Sequence, residues 1–309
     1  MRNYLSIYLP SRHALATLGS TIDEAVKRGW FIQFHIDANR KGDGLRQGDL
    51  TRWDAVKRWA GPAYKGMTLG LARDARVRVG VSQWFDNILR PPIERQVTCY
   101  VSEWHKALHK QTQPLWVEWI DKQPVVGWAI ADHRALIGQA LLPWSVPGGH
   151  AILFTMKRRV PEPWRHSLKG RLWYWEKVQE AKHIAAEHGL PLVIKTRAKH
   201  GDPFWLRGIG DACVYPLTSM QLLAHATLAF HFNSGAGLEA RLYPKVKVVN
   251  WPVPQPHLDT LPGQTAIYPH AYTVPLAEVI GYDDVKCGRR VMDVVESEYS
   301  DGRQPGGMR

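Results

Sequence analysis

Cysteine is scarce in this chain, and long apolar runs are missing from it. The 309 residues include only Cys99, Cys213 and Cys287, which are too few and too far apart for a disulfide framework or a zinc site of the usual spacing. No apolar run approaches the roughly 18 residues of a membrane-spanning helix. The opening MRNYLSIYLPSRH is broken by Pro10 and is too short for a signal peptide. The sequence therefore predicts a cytoplasmic protein without a transmembrane segment, and peripheral contact with a membrane surface stays open.

Several catalytic motifs are also absent. The sequence contains no GxxxxGK[ST] phosphate loop and no GxSxG nucleophile turn, so P-loop and serine hydrolase mechanisms have no motif support. The fourteen histidines are scattered along the chain and do not show metal-ligand spacing. We therefore predict neither a metal site nor a bound cofactor.

Positive charge, by contrast, is in excess. Forty Lys and Arg residues against 28 Asp and Glu give a formal net charge of +12. Such an excess favours polyanionic partners, namely nucleic acid, an anionic membrane surface or a phosphorylated substrate. The cations are spread along the chain without a basic tail, which argues against a simple DNA clamp. A basic surface with no specific partner is the alternative explanation.

The first forty residues have the β-α-β pattern of a doubly wound domain. Hydrophobic periodicity predicts a strand, a helix and a strand at 5–9, 14–28 and 30–36. In open α/β sheets the carboxyl ends of the strands form the ligand crevice. His13, expected in the loop after the first strand, and Asp37, after the second, are therefore candidates for a general base. Glu103, after a later predicted strand, is a rival.

Two other stretches bear on the fold. Residues 38–70 are polar and rich in glycine and tryptophan, which predicts an exposed loop with one short helix. Residues 168–188 are predicted as the longest helix. We expect its apolar face to contain Leu172, Trp175, Val178, Ala181 and Ala185.

The most informative stretch runs from Leu190 to Trp251. It alternates between apolar strands and polar turns, and its polar residues fall at the strand ends. Lys195 and Arg197 follow the strand at 191–194, where cations suit a phosphate group. Thr218 and Ser219 precede a helix and, with Gln221, match a capping box whose backbone N–H groups point outward.

A second polar turn comes after the predicted strand 227–232. Asn233, Ser234 and Gly235 form a tight turn that a phosphate or a ribose can approach closely. Glu239 is expected in the first turn of the next helix, where its carboxylate could accept hydrogen bonds from ribose hydroxyls. Each of these residues also has a plain structural explanation, as a turn residue, a solvated cation or an acid favoured by the helix dipole.

This order of strand, basic loop, YPLTS helix, strand ending in FNSGAGLEA and short strand ending in VN resembles the nucleotide-binding half of GT-B glycosyltransferases. The similarity is greatest to the branch of surface-carbohydrate, CDP-glycerol and polysialyl transferases, and non-hydrolysing epimerases share the layout. The resemblance implies donor contacts from Thr218, Ser219, Ser234 and Glu239. It also implies an α/β fold of two Rossmann-like doubly wound domains facing a cleft. The corresponding domains are an acceptor domain at 1–145, a nucleotide-sugar domain at 150–280, and a C-terminal helix and tail at 281–309.

The resulting functional hypothesis is a metal-independent glycosyltransferase. It would move a sugar from a donor such as a UDP- or CDP-linked sugar to an acceptor hydroxyl, on hydroxymethylated phage-type DNA or on a surface polysaccharide. Helix N-termini together with Lys195 and Arg197 would stabilise the leaving diphosphate. A non-hydrolysing nucleotide-sugar epimerase and a noncatalytic nucleic-acid-binding protein on the same scaffold are the alternatives.

Overall fold

The computed structural model describes residues 3–9, 12–36, 61–69, 78–81, 91, 96–137, 149–155, 167–196, 206, 208–214, 219–232, 234–252, 271 and 273–301. The chain divides into two compact units. The first comprises Met1–His133 and Ala277–Arg309, and the second comprises Arg134–Leu276. The domain limits given by the resemblance stay a prediction.

The first unit contains two parallel sheets. Strands β1, β2 and β3, at Tyr4–Leu9, Phe31–Ile36 and Tyr64–Leu69, pair in that order. Strands β4 and β5, at Val79–Val81 and Val97–Cys99, form a separate parallel pair. The sequence predicted an exposed loop through residue 70, and strand β3 shows that this prediction was wrong at its end. Only three of the six residues of β3 are apolar, and the polar stretch before it contains glycine, so the strand has no clear hydrophobic pattern.

The helices of the first unit pack around these strands. Helix α1 spans Arg12–Lys27, α2 spans Glu103–Thr112, α3 spans Val117–Asp121, and α4 spans Ala129–Ile137, across the boundary between the units. Short 3-10 helices occupy Gly61–Ala63 and Pro114–Trp116. A core of Ile7, Ile22, Trp30, Ile32, Phe34 and Met292 joins the first sheet to α1 and the C-terminal helix.

The second unit is built on one five-stranded parallel sheet. Strands β6 to β10 lie at His150–Phe154, Leu192–Lys195, Ala212–Val214, Ala226–His231 and Lys247–Asn250. Their order across the sheet is β8-β7-β6-β9-β10. Every residue of β6 is buried, as expected for the central strand of a sheet that is covered on both faces.

Helices connect these strands, and two more follow the last strand. Helix α5 spans Leu168–Glu187, α6 spans Ser219–Leu223, α7 spans Gly235–Arg241, α8 spans Leu276–Ile280 and α9 spans Cys287–Asp301. Among the described helices none is both long and apolar enough to cross a membrane.

Helix α5 differs from the sequence-based expectation in its buried face. Val178, Ala181 and Ala185 are buried as predicted, but Leu172 and Trp175 are 51% and 43% exposed. Gly170 and Tyr174 are buried in their place. Tyr174 packs edge-on against Phe232, with ring centroids 5.2 Å apart. Tyr174 therefore contributes to the buried face of α5, to which the sequence pattern had assigned Leu172 and Trp175.

Candidate functional site

The strand order of the second unit defines where its ligand crevice should lie. Counted along the chain, the sheet order is 3-2-1-4-5, which is typical of doubly wound folds. The order reverses between β6 and β9, and these two strands are adjacent and parallel. In such sheets ligands bind outside the carboxyl ends of the strands at this switch point. The candidate site is therefore the edge formed by the ends of β6, β9 and the neighbouring β7.

Residues at the ends of β6 and β7 are fixed to one another. Phe154, the last residue of β6, pairs with Lys195, the last residue of β7. Thr155 comes directly after β6 and is buried, and its Oγ1 donates to the carbonyl oxygen of Lys195 at 3.3 Å. The backbone of Lys195 is therefore held beside the switch point, and its ammonium group is carried by a half-buried side chain.

The turn after β9 provides the second part of the site. Ser234 adopts an extended conformation, with φ −118° and ψ 153°, and precedes the first residue of α7, Gly235. Ser234 and Gly235 are both buried. The backbone N–H of Ser234 points to Nδ1 of His231 at 3.4 Å. His231 is fully buried, and burial lowers the pKa of its imidazole to about 3, so the ring is neutral at neutral pH.

Glu239 is the buried carboxylate of this region. It is 6% exposed and lies in the second turn of α7, because the helix begins at Gly235. This corrects the expectation that Glu239 belongs to the first turn. Burial, together with the charge of Glu239, raises the pKa of Tyr243 to about 12, and Arg134 opposes the rise. Glu239 and Arg134 therefore act on the same phenol.

The helix α6, which begins at Ser219, lies against α7. Ser219 is half-buried at the first position of α6. The hydroxyl of Tyr243 donates to the carbonyl oxygen of Met220 at 3.2 Å, which fixes α6 to the segment just after α7. Helices α6 and α7 have five and seven residues. The helix dipole acts only within the first turn, so stabilisation of an anion here also depends on cationic side chains nearby.

The structure brings together only part of the predicted site. Lys195, Ser234 and Gly235 lie at the carboxyl edge of the second sheet, and Glu239 lies one helical turn further on. Four predicted residues lie outside the described residues, namely Asp37, Arg197, Thr218 and Asn233. His13 belongs to the first unit and is the second residue of α1 rather than part of a loop; its side chain is also outside the described part.

Three residues of the site were not predicted from the sequence. Thr155 and His231 stand at the ends of β6 and β9, and they become candidates only when the strand order identifies those two ends as the switch point. Arg134 lies sixteen residues before the second sheet. It donates to the carbonyl oxygen of Leu242, at the C-terminal end of α7. No sequence pattern predicts this contact between Arg134 and Leu242, which are 108 residues apart.

The chemistry available at this edge is that of anion and hydroxyl recognition. Lys195 supplies a cation suited to phosphate, Ser234 supplies a hydroxyl, and Glu239 supplies an acceptor for hydroxyl groups. The backbone N–H of Ser234 is engaged by His231. Among the described residues no group of His, Cys, Asp and Glu side chains is arranged to hold a metal ion.

The fold is similar to that of solved structures. A Listeria monocytogenes protein assigned as a UDP-N-acetylglucosamine 2-epimerase matches over 100% of both chains, with a TM-score of 0.53 and 11% sequence identity. The glycosyltransferase of kitacinnamycin matches over 98% of this chain and 96% of its own, with 12% identity, but its TM-score of 0.43 is too low to support an argument. No protein-family model matches the sequence, and no curated protein matches it significantly.

The first of these similarities and the parallel sheets agree on the class of fold. The chain has a GT-B-like α/β fold with two Rossmann-like units. At 11% identity this similarity shows the fold alone, because one fold hosts many activities.

Proposed function

We propose that the protein is a nucleotide-sugar-dependent enzyme and that its activity is glycosyl transfer. The observation that carries the proposal is the position of Lys195 and Ser234 at the carboxyl edge of a 3-2-1-4-5 sheet, with Glu239 one helical turn beyond Ser234. The residue types suit a donor of this class, since a cation faces a diphosphate and a carboxylate accepts from ribose hydroxyls. The resemblance of the FNSGAGLEA stretch to GT-B transferases supports the same conclusion.

The proposed mechanism rests on the charge that develops during transfer. The nucleotide diphosphate leaves as the sugar becomes oxocarbenium-like, and negative charge grows on the β-phosphate. Lys195, the hydroxyl of Ser234 and the backbone N–H of Gly235 would stabilise that charge. Arg197 and Thr218 would add to it, and Asn233 would complete the turn. A base of the first unit, His13 or Asp37, would take the proton of the acceptor hydroxyl.

The acceptor is proposed from charge and family branch. The net charge of +12 favours a polyanion, and hydroxymethylated DNA of the phage type is such an acceptor. The resemblance to the surface-carbohydrate branch supports a polysaccharide instead. The two acceptors are separated by offering each of them to the enzyme with the same radiolabelled donor.

A nucleotide-sugar epimerase is the second candidate. The observation in its favour is the similarity over the full length of both chains to a protein assigned as a UDP-N-acetylglucosamine 2-epimerase. An epimerase would interconvert its donor without any acceptor. A transferase would release nucleotide diphosphate only as sugar moves to an acceptor or to water.

Binding of the donor can be tested by thermal shift with a panel of UDP- and CDP-sugars. A ligand at about one hundred times its Kd stabilises the native state by about 2.7 kcal/mol, which raises the unfolding temperature by several degrees. We expect Glu239→Gln and Lys195→Ala to weaken binding by about 10- to 100-fold each, since each removes a charge-assisted hydrogen bond. Lys245→Ala, an exposed cation in the turn after α7, is the matched control.

The proposal fails if no nucleotide sugar raises the unfolding temperature of the wild-type protein. It also fails if both site variants bind the donor as tightly as the Lys245→Ala control does. If the donor binds and is converted to its epimer with no acceptor present, the epimerase assignment replaces glycosyl transfer.

A further inference from the structure

Helix α5 exposes an apolar stripe on the side away from the sheet. Leu168, Leu172 and Trp175 are 74%, 51% and 43% exposed. At 100° per residue they fall within roughly 60° of one another on the helix surface. Most buried residues of α5, such as Gly170, Tyr174 and Ala181, lie on the other side of the helix, and buried Val178 lies at the border between the two faces. We call these three side chains the α5 stripe.

The α5 stripe stands out from the rest of its unit. Four other large apolar side chains of the described chain are as exposed, and all of them belong to the first unit: Tyr4, Leu115, Tyr282 and Val285. Tyr282 and Val285 share the segment between α8 and α9, and the other two lie on different elements. Among the described residues of 134–276, the strongly exposed large apolar side chains are therefore confined to one line along two turns of one helix. Grouped exposure of this kind marks an interaction surface, whereas scattered exposure does not.

The charges beside the first half of the α5 stripe are positive. Exposed Lys169 and Arg171 flank it on its two sides, and the first turn of the helix contains no acidic residue. The first carboxylate of the helix is Glu176, directly after the stripe. Cations in the first turn oppose the helix dipole, which favours acids at that position. The sequence thus places positive charge where an isolated helix would avoid it.

The size of the α5 stripe decides what can cover it. A specific protein interface needs about 800 Å² from each partner, and three side chains fall well short of that area. A bilayer surface needs less, because an amphipathic helix inserts a few apolar side chains to the depth of the headgroups while its cations contact anionic lipids. Tryptophan is also enriched at that depth.

We propose that the second unit docks on an anionic membrane surface through the α5 stripe. Leu168, Leu172 and Trp175 enter the headgroup layer, and Lys169 and Arg171 bind lipid phosphates. The attachment is reversible and weakens with salt. It is independent of the nucleotide-sugar site and of the activity proposed above.

Flotation of the full-length protein with vesicles tests this docking. We expect binding to vesicles of equal parts phosphatidylcholine and phosphatidylglycerol, and little binding to phosphatidylcholine alone. Leu168→Ser with Leu172→Ser should weaken binding to the anionic vesicles at least about tenfold, since a buried leucine is worth about 1.5–3 kcal/mol and 1.4 kcal/mol is tenfold. Lys169→Glu with Arg171→Glu should abolish the preference for anionic lipid.

Leu115→Ser is the matched control, because Leu115 is 94% exposed on a different element of the first unit. It should bind the anionic vesicles as the wild type does. Thermal melts confirm that all variants are folded, which is expected because the replaced side chains are exposed. The proposal is overturned if the wild type ignores anionic vesicles, if the double serine variant binds them as well as the control does, or if that variant changes only the oligomeric state in sedimentation.

Discussion

At the scale of single residues, Val285 has a backbone conformation that branched residues avoid. Its φ is 56°, in the left-handed region. The residues on each side hold it there, since the Asp284 carboxylate accepts from the N–H of Lys286 at 3.2 Å and binds Arg290 through both oxygens. The guanidinium of Arg290 also donates to the carbonyl oxygen of Val126 at 2.8 Å. The strain is therefore imposed by neighbouring contacts.

Relief of this strain should stabilise the protein. Val285→Gly removes a left-handed penalty of about 1–2 kcal/mol, offset in part by the greater flexibility of unfolded glycine. Val285 is 44% exposed, so little packing is lost. We expect the free energy of unfolding to rise by about 0.5–1 kcal/mol, measured by urea denaturation. The opposite control is Gly281→Ala, since Gly281 has φ 74° and an added Cβ would lie 2.5 Å from the carbonyl oxygen of Val101. A loss of stability in Val285→Gly would contradict the argument.

The residues of the candidate site show what a sequence does and does not reveal at this scale. Ser234 and Glu239 were predictable as residue types, because a turn after a strand and an acid on the next helix are visible in the chain order. Their burial was not predictable, since it depends on how the turn and α7 pack in the folded unit. His231 was missed because a histidine at the end of a strand indicates a site only when that strand is known to border the switch point.

At the scale of secondary-structure elements, the contact between α1 and α9 depends on one glycine. Gly288 lies in the first turn of α9, and a Cβ there would meet the backbone of Ser20 at 2.3 Å. Asp132 accepts from the N–H of Gly288 at 3.0 Å. Arg28, beyond the end of α1, binds Asp293 and Glu296 of α9 at 2.7 and 2.8 Å. These contacts fix the separation of the two helices, so neither can move to make room.

Gly288→Ala should therefore destabilise the first unit. Overpacking costs about 1–3 kcal/mol when side chains can adjust, and here the obstacle is backbone, so we expect about 3 kcal/mol, measured by denaturant unfolding. Gly208→Ala is the matched control, because a Cβ at Gly208 meets nothing within 4 Å. Equal stability of the two variants would show that α1 and α9 can separate at little cost.

Most described elements were predictable from the sequence, and the failures have specific causes. Strands such as β6 and β9 are short, apolar and bounded by turns, which gives an unambiguous pattern. The extent of helix α5 was predicted correctly, but the buried face of its first half was not. Leu172 and Trp175 match helical periodicity as well as Gly170 and Tyr174 do. Periodicity counts apolar residues and cannot tell that a tyrosine ring packs on Phe232 while a tryptophan faces out.

At the scale of the whole molecule, neutral buried histidines link stability to pH. Burial lowers the pKa values of His105, His150 and His231 to about 3, about 4 and about 3, from an ordinary 6.5. His105 belongs to the first unit, and the other two belong to the second. Each ring is neutral in the native protein at about pH 5, whereas the same ring is protonated in the unfolded chain. Both units should therefore lose stability in mild acid.

Acid lowers the stability because the three histidines bind protons only after unfolding. Where the unfolded chain binds more protons than the native protein, the free energy of unfolding falls as pH falls. The stability is complete above about pH 6.5 and is lost progressively below it, down to the folded pKa values. With three groups the slope near pH 5 approaches about 4 kcal/mol per pH unit, which should appear as a steep fall in the urea midpoint between about pH 7 and pH 4.

One replacement isolates a single histidine. His150→Gln removes one titrating ring while the amide can still donate to the carbonyl of Leu222, with which the imidazole of His150 bonds. We expect the slope of unfolding free energy against pH to fall by about a third. Gly208→Ala, which alters no titrating group and adds a Cβ that meets nothing within 4 Å, should leave the slope unchanged. Equal slopes in the wild type and in His150→Gln would show that His150 does not contribute and that the acid sensitivity comes from other groups that titrate in this range.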